Sequence, residues 1–138
     1  MKKMLFVLVL LSVQILSQGK ILTKEKADEL FGPVRYKVEI STEQLKMIVT
    51  KSSEVIMFKL MNNDLYILDK NRNTLLPEGV IISSSEVFSV YSVNIVLQLL
   101  SEGNEPVTTV EKRQDVLTIT NGMLTLEYSV ICPPICPD

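Results

Sequence analysis

The most regular alternation in the chain is Val34, Tyr36, Val38 and Ile40, separated by Arg35, Lys37, Glu39 and Ser41. A period of two predicts a strand with one dry face and one wet face. Ahead of it, Thr23 has the chemistry of a helix N-cap. Gly32-Pro33 closes the helix that Thr23 opens, because glycine accepts a left-handed cap and proline cannot continue the ladder. A short helix through Phe31 is therefore expected. Ser41 and Gln44 stand at capping-box spacing before Leu45, Ile48 and Val49, which predicts a second helix over 42–51 with an apolar stripe that needs a sheet beneath it.

From Glu54 the period returns to two. Ile56, Phe58 and Leu60 share a face, Asn62-Asn63 offers a turn, and residues 65–68 run back, pairing Leu60 with Leu65 and Phe58 with Ile67. Lys70 to Asn73 reads as a polar turn and Leu75-Leu76 as a short strand before Pro77. The most apolar stretch after residue 19 is 87–100, VFSVYSVNIVLQLL. Its β-branched and aromatic side chains favour a central strand, bent or split, over a buried helix capped from Ser83 and Glu86. Gly103 and Pro106 mark a loop over 101–106. Last, Asn121-Gly122 predicts a type I′ hairpin between 115–120 and 123–131, which pairs Ile119 with Leu124 and Leu117 with Leu126.

These elements predict an α+β domain with one or two short helices packed on an antiparallel β-sheet meander, with an all-β sandwich as the alternative. Composition points the same way: one alanine (Ala27) stands against 16 Val, 12 Ile and 9 Thr, side chains that lose rotamer freedom in helices and pack well on a pleated surface. No repeat or low-complexity tract divides the chain, so 20–138 is read as a single globular domain.

The first 19 residues read as an address. Lys2 and Lys3 precede a 13-residue apolar run from Met4 to Leu16, shorter than the roughly 20 residues a bilayer-spanning helix needs but suited to a signal peptide. Small residues at Ser17 and Gly19 offer cleavage after either, and the reading takes Gly19. The expectation is a secreted or periplasmic product with no integral membrane segment after cleavage.

Charge and side-chain inventory then exclude more chemistry than they suggest. With 14 basic and 16 acidic residues, the net charge of −2 leaves no basic surplus for a nucleic-acid partner. Histidine is absent, which rules out Ser-His-Asp and Cys-His nucleophilic catalysis. Ser52 and Ser53 beside Lys51 carry no recognisable serine–lysine motif, and the isolated glycines form neither a phosphate loop nor a dinucleotide fingerprint. Carboxylates remain the one route to acid–base work, but Glu102 and Glu105 share a loop and Asp28 and Glu29 share a helix. Asp69, Asn71 and Asn73 have the one-three-five spacing of a calcium loop. Thr74 stands where glycine is needed and Val80 where a bidentate glutamate is needed, so an ordinary turn is favoured.

Two cysteines remain, Cys132 and Cys136, flanking Pro133, Pro134 and Ile135. In an exported chain they are expected to bond to each other and to fix only the tail, since so small a loop contributes about 2 kcal/mol by chain entropy. No catalytic, cofactor-binding or metal site is expected. The function expected is non-catalytic binding of another protein, with the apolar surplus at 87–100 as a candidate interface. The alternatives are a structural envelope subunit that assembles through strand edges and a histidine-free carboxylate-dependent hydrolase.

Overall fold

The computed structural model describes residues 19–127, 130–133 and 136. Residues 1–18 of the expected leader 1–19 lie outside the described residues. Strand β1 (Lys20–Thr23) leads directly into helix α1 (Lys24–Phe31), where the Thr23 hydroxyl accepts from the Lys26 amide at 3.2 Å and Gly32 ends the helix at φ 82°. Strand β2 (Tyr36–Ser41) and helix α2 (Thr42–Val49) follow, with the Ser41 hydroxyl accepting from the Gln44 amide. Strands β3 (Val55–Met61) and β4 (Asp64–Leu68) form the expected hairpin. Leu60 pairs with Leu65 and Phe58 with Ile67, and both turn residues, Asn62 and Asn63, have positive φ. Strand β5 (Thr74–Leu76) completes this run.

The stretch 87–100 splits. Strand β6 (Phe88–Ser92) occupies its first half, and helix α3 (Val93–Gly103) takes the second half together with part of the expected loop. The strand reading fails beyond Ser92 because Val93, Val96, Leu99 and Leu100 recur at helical offsets, and all four are buried. Strands β7 (Val107–Lys112), β8 (Leu117–Asn121), β9 (Leu124–Glu127) and β10 (Val130–Cys132) close the chain.

The last hairpin exists in a different register from the one expected. Ile119 pairs with Leu126 and Asn121 with Leu124, so the turn is Gly122-Met123, with only Gly122 at positive φ. A two-residue slip leaves Leu117, Ile119, Leu124 and Leu126 on the same face, so periodicity cannot distinguish the two registers. The expected strand 123–131 also divides, since β9 belongs to one sheet and β10 to the other.

The architecture is α+β, with three helices and two antiparallel five-stranded sheets among the described residues. One sheet has the order β1-β9-β8-β7-β2 and the other β10-β6-β3-β4-β5. A meander on a single sheet is thus corrected to two sheets, and the apparent lack of repetition is corrected as well. Segments β2-α2-β3-β4-β5 and β6-α3-β7-β8-β9 follow one plan, and each gives its first strand to the other's sheet: β2 pairs with β7, and β6 with β3. The equivalence reaches individual hydrogen bonds. Thr42, which opens α2, donates its amide to the Pro106 carbonyl at 2.9 Å, and Val93, which opens α3, donates to the Glu54 carbonyl at 2.8 Å. Ser41 pairs with Val107 as Ser92 pairs with Val55.

The main core lies between the sheets. Leu45, Ile48 and Val49 of α2 and Val96, Leu99 and Leu100 of α3 pack with Ile56, Phe58 and Ile67 of one sheet and Val110, Ile119 and Leu126 of the other. Tyr91 crosses it, its ring edge-on to Phe58 at 5.8 Å and its hydroxyl donating to the Leu117 carbonyl at 2.6 Å. A smaller apolar cluster of Met57, Leu68, Phe88, Val90 and Cys132 covers the far face of the β3-containing sheet, with Ile82 from the 77–87 loop against it. The far face of the other sheet is polar: Glu111, Thr118, Thr120 and Thr125 are buried there, and Arg113 beyond β7 joins them beneath α1.

Candidate functional site

Most residues that could have carried chemistry serve the fold. Asp69 holds its own turn, its carboxylate accepting the Asn71 and Asn73 amides at 2.9 and 2.8 Å and the Asn73 side-chain amide at 3.2 Å. Its oxygens therefore do what an Asx turn former does. The Ser52 hydroxyl donates to the Val55 carbonyl at 2.6 Å and accepts from the Lys70 amide, while Lys51 pairs with Glu78. Asp28 and Glu29 point to different partners, Arg113 and Lys26. Glu102 accepts from the Gln98 side chain, and Glu105 contributes backbone groups to Asn121. Among the described residues, no group of three His, Cys, Asp or Glu side chains is placed to hold a metal ion.

The stretch 87–100 is interior rather than a patch. Phe88, Val90, Tyr91, Val96, Leu99 and Leu100 are buried, and of its apolar residues only Val87 at its start is substantially exposed. An interface built on its apolar surplus is therefore corrected: that surplus is consumed by the two cores.

Cys132 and Cys136 form a disulfide, with Cα atoms 4.7 Å apart. Cys132 is fully buried against Phe88 and Val90, so the bridge anchors the tail to a packed cluster and is less peripheral than its sequence position implies. The two sulfur positions should respond differently to substitution. Cys136→Ser releases only the small loop and is expected to cost about 2 kcal/mol or less in denaturant unfolding. Cys132→Ser also replaces a sulfur packed against Phe88 and Val90 by a smaller hydroxyl beside the Arg72 guanidinium, whose Nη1 lies 3.5 Å from Sγ, and the lost packing is expected to cost about 1 kcal/mol more. Equal losses would contradict this placement.

A concavity of about 490 Å³ opens between the two sheets at the ends of β3, β7 and β9. Phe58, Leu60 and Leu117 form its apolar floor, and Val87 and Ile131 its apolar rim. Lys112 and Asp115 bring both signs of charge to its wall. Lys59 also reaches it, with its ammonium paired to Glu86 and 5.7 Å from the Phe88 ring centre. Tyr36 enters from β2, and its hydroxyl is buried with no hydrogen-bond partner among the described residues. A buried, unpaired hydroxyl is destabilising unless a partner supplies the missing bond. In the sequence Tyr36 reads as one more dry-face strand residue, because nothing local shows that β2 ends beside a gap between sheets.

Sequence reasoning also missed a second polar cluster, which the structure shows to be architectural. Arg113 is fully buried, with Nη1 2.6 Å from both Asp28 and the Gly32 carbonyl and Nε donating to Thr118 at 3.1 Å. Glu111 beside it is 2% exposed and accepts from Thr118 and Thr120. This network ties α1 to β7 and β8. Its one sequence signal is the alternation of Thr109, Glu111 and Arg113 with inward residues, which a solvated strand face would produce equally.

Among the described residues no helix is long and apolar enough to cross a membrane. No protein-family model, curated protein or solved structure matches the chain.

Proposed function

We propose that the protein is an exported, non-catalytic binding domain that takes an extended segment of another protein into the mouth between its two sheets. The apolar-floored cleft with Tyr36 in its wall carries this reading, since a partner whose docking opens the wall over the buried Tyr36 hydroxyl and supplies an acceptor removes a penalty the free domain bears. An apolar floor with flanking charges of both signs suits a peptide better than a phosphorylated or strongly charged ligand. The disulfide supports the export part of the reading.

The carboxylate-hydrolase reading draws on Asp115 and Glu127, which line this cleft from separate elements. Glu127, however, alternates with the core residue Leu126 and lies on the same side of β9 as Thr125, which faces Thr120 on the far face of the sheet. Asp115 lies in the bend between β7 and β8, so the two carboxylates reach the cleft from a loop and from the far face of β9, and the binding reading rests on the cleft's apolar floor.

Tyr36→Phe tests the site. The variant should unfold no more easily than the parent, because it removes an unpaired group, while its capture of a protein from the cell envelope should fall by about tenfold for one lost hydrogen bond in a dry site. Unchanged capture would remove Tyr36 from the reading. The leader is tested by N-terminal sequencing of exported material. Gly19 has φ 114°, and a Cβ there would lie 2.8 Å from Leu126, so this glycine fits closely against the core. With the cut after Gly19, Lys20 is the expected first residue; a start at Gln18 would place the cut after Ser17 and keep this glycine in the mature chain. A start at Met1 would defeat the export proposal.

A further inference from the structure

The exchanged plan of the two halves exposes an asymmetry. Beyond the eight strands of the two repeats, each sheet carries one added strand: β10 lies beside β6, and β1 beside β9. The repeat equivalent of β6 is β2, and β2 is the outer strand of its sheet, with β7 on one side and no strand on the other among the described residues. Hydrogen-bond phase makes the equivalence specific. Since Thr42 pairs with Pro106, the even-numbered residues of β2 face β7, and Lys37 and Glu39 turn their N–H and C=O groups outward. In β6 the corresponding residues, Phe88 and Val90, turn the same groups toward Cys132 and Val130 of β10. The β2 edge is thus built on the plan of one that, in the other sheet, accepts an antiparallel strand.

We infer that this edge is occupied by β2 of a second copy of the chain, in a closed two-fold dimer that joins two five-stranded sheets into one of ten strands. The occupant follows from charge and register. When β2 pairs antiparallel with itself about Val38, Lys37 lies opposite Glu39 of the second copy, and Glu39 opposite its Lys37. Each is a hydrogen-bonded pair that uses the outward backbone groups, and each joins opposite charges. A two-fold arrangement satisfies both pairs at once and leaves neither β2 edge open, so it closes instead of polymerising. On the inward side a groove of about 360 Å³ runs beside β2, with Val38, Ile40, Leu65, Leu76 and Pro77 as its apolar lining and Glu39, Gln44 and Asp64 as its polar lining. It offers apolar contact to Val38 of the incoming strand. The equivalent of β1 would lie beside β5, a three-residue strand followed at once by Pro77, a poorer edge for pairing.

Both charged side chains are exposed, but Lys37 lies opposite the buried Glu111 of β7, so the thermal unfolding of each variant is measured beside its sedimentation to separate a loss of fold from a loss of pairing. Six residues of pairing make a small interface, and a weak dimer is expected, populated by sedimentation of the mature chain below about 1 mM. Glu39→Lys and Lys37→Glu each set like charges opposite one another twice, and each should weaken the dimer by about tenfold or more. Mixing these two variants should produce a heterodimer, because one then carries lysine at both positions and the other glutamate at both, so that every facing pair joins opposite charges. The double exchange Lys37→Glu/Glu39→Lys should restore self-association. A parent chain that stays monomeric throughout, a dimer indifferent to both single exchanges, or a mixture with no heterodimer would each overturn the inference. None of these outcomes bears on Tyr36 or the inter-sheet cleft.

Discussion

Replacing Arg113 by methionine is expected to remove about 3–5 kcal/mol of stability, the effect of stripping one partner from a buried charged pair. The guanidinium is fully buried, and its departure leaves Glu111, itself 2% exposed, without the nearby cation 3.6 Å away. It also removes a donor from the Gly32 carbonyl and the link to Asp28, the two contacts that hold the end of α1 to the sheet. Hydrogen exchange should therefore rise first over residues 24–32, before the core strands open. Adding Glu111→Gln should return a substantial part of the loss. Glutamine keeps an acceptor for Thr118 and Thr120 while removing the uncompensated charge. Two single losses that simply add would show that the charges do not interact.

Gly103→Ala should destabilise the domain by about 3 kcal/mol or more, the opposite sign from the usual effect of alanine for glycine in a helix. Gly103 is the last residue of α3, and a Cβ there would overlap Asn121 Oδ1 and lie 2.5 Å from the Asn121 carbonyl oxygen. Asn121 cannot yield cheaply. Its Oδ1 accepts from the Glu105 amide at 2.9 Å, and its Nδ2 lies 2.9–3.1 Å from Thr42 and Thr108 hydroxyls and the Glu105 carbonyl. Gly79→Ala is the control: nothing lies within 4 Å of its Cβ position, so only the backbone cost of φ 77°, about 1 kcal/mol, should appear in thermal unfolding.

The same Asn121 shows where sequence reading loses its grip. Asn-Gly is the strongest short hairpin signal, and the hairpin is there, but the asparagine is held in β8 by Thr42, 79 positions earlier in the chain. A contact of that range decides between two registers that hydrophobic alternation rates equally. By contrast the Asn62-Asn63 hairpin was legible because turn chemistry and pattern are local and nothing distant competes. The helix starts at Thr23 and Ser41 were legible for the same reason, since each cap bond closes within three residues. Helix α3 has no side-chain cap bond, and its β-branched first turn resembles a strand. The exchange of β2 and β6 between sheets leaves no mark on spacing, so the cleft it frames was invisible. The disulfide was legible from its two cysteines, but not the burial of Cys132 that gives it reach.

The binding proposal is tested most directly by site-specific photo-crosslinking of the exported full-length protein in its own cell envelope. A photoreactive phenylalanine is placed at Val87 on the cleft rim, or at Met47 on the exposed face of α2 as the comparison, both of them accessible positions outside the core. A discrete adduct to another protein from position 87, absent from position 47 and diminished by Tyr36→Phe, is the predicted result. No adduct at 87, or one no stronger there than at 47, would contradict the claim that the mouth between the sheets is where this protein binds.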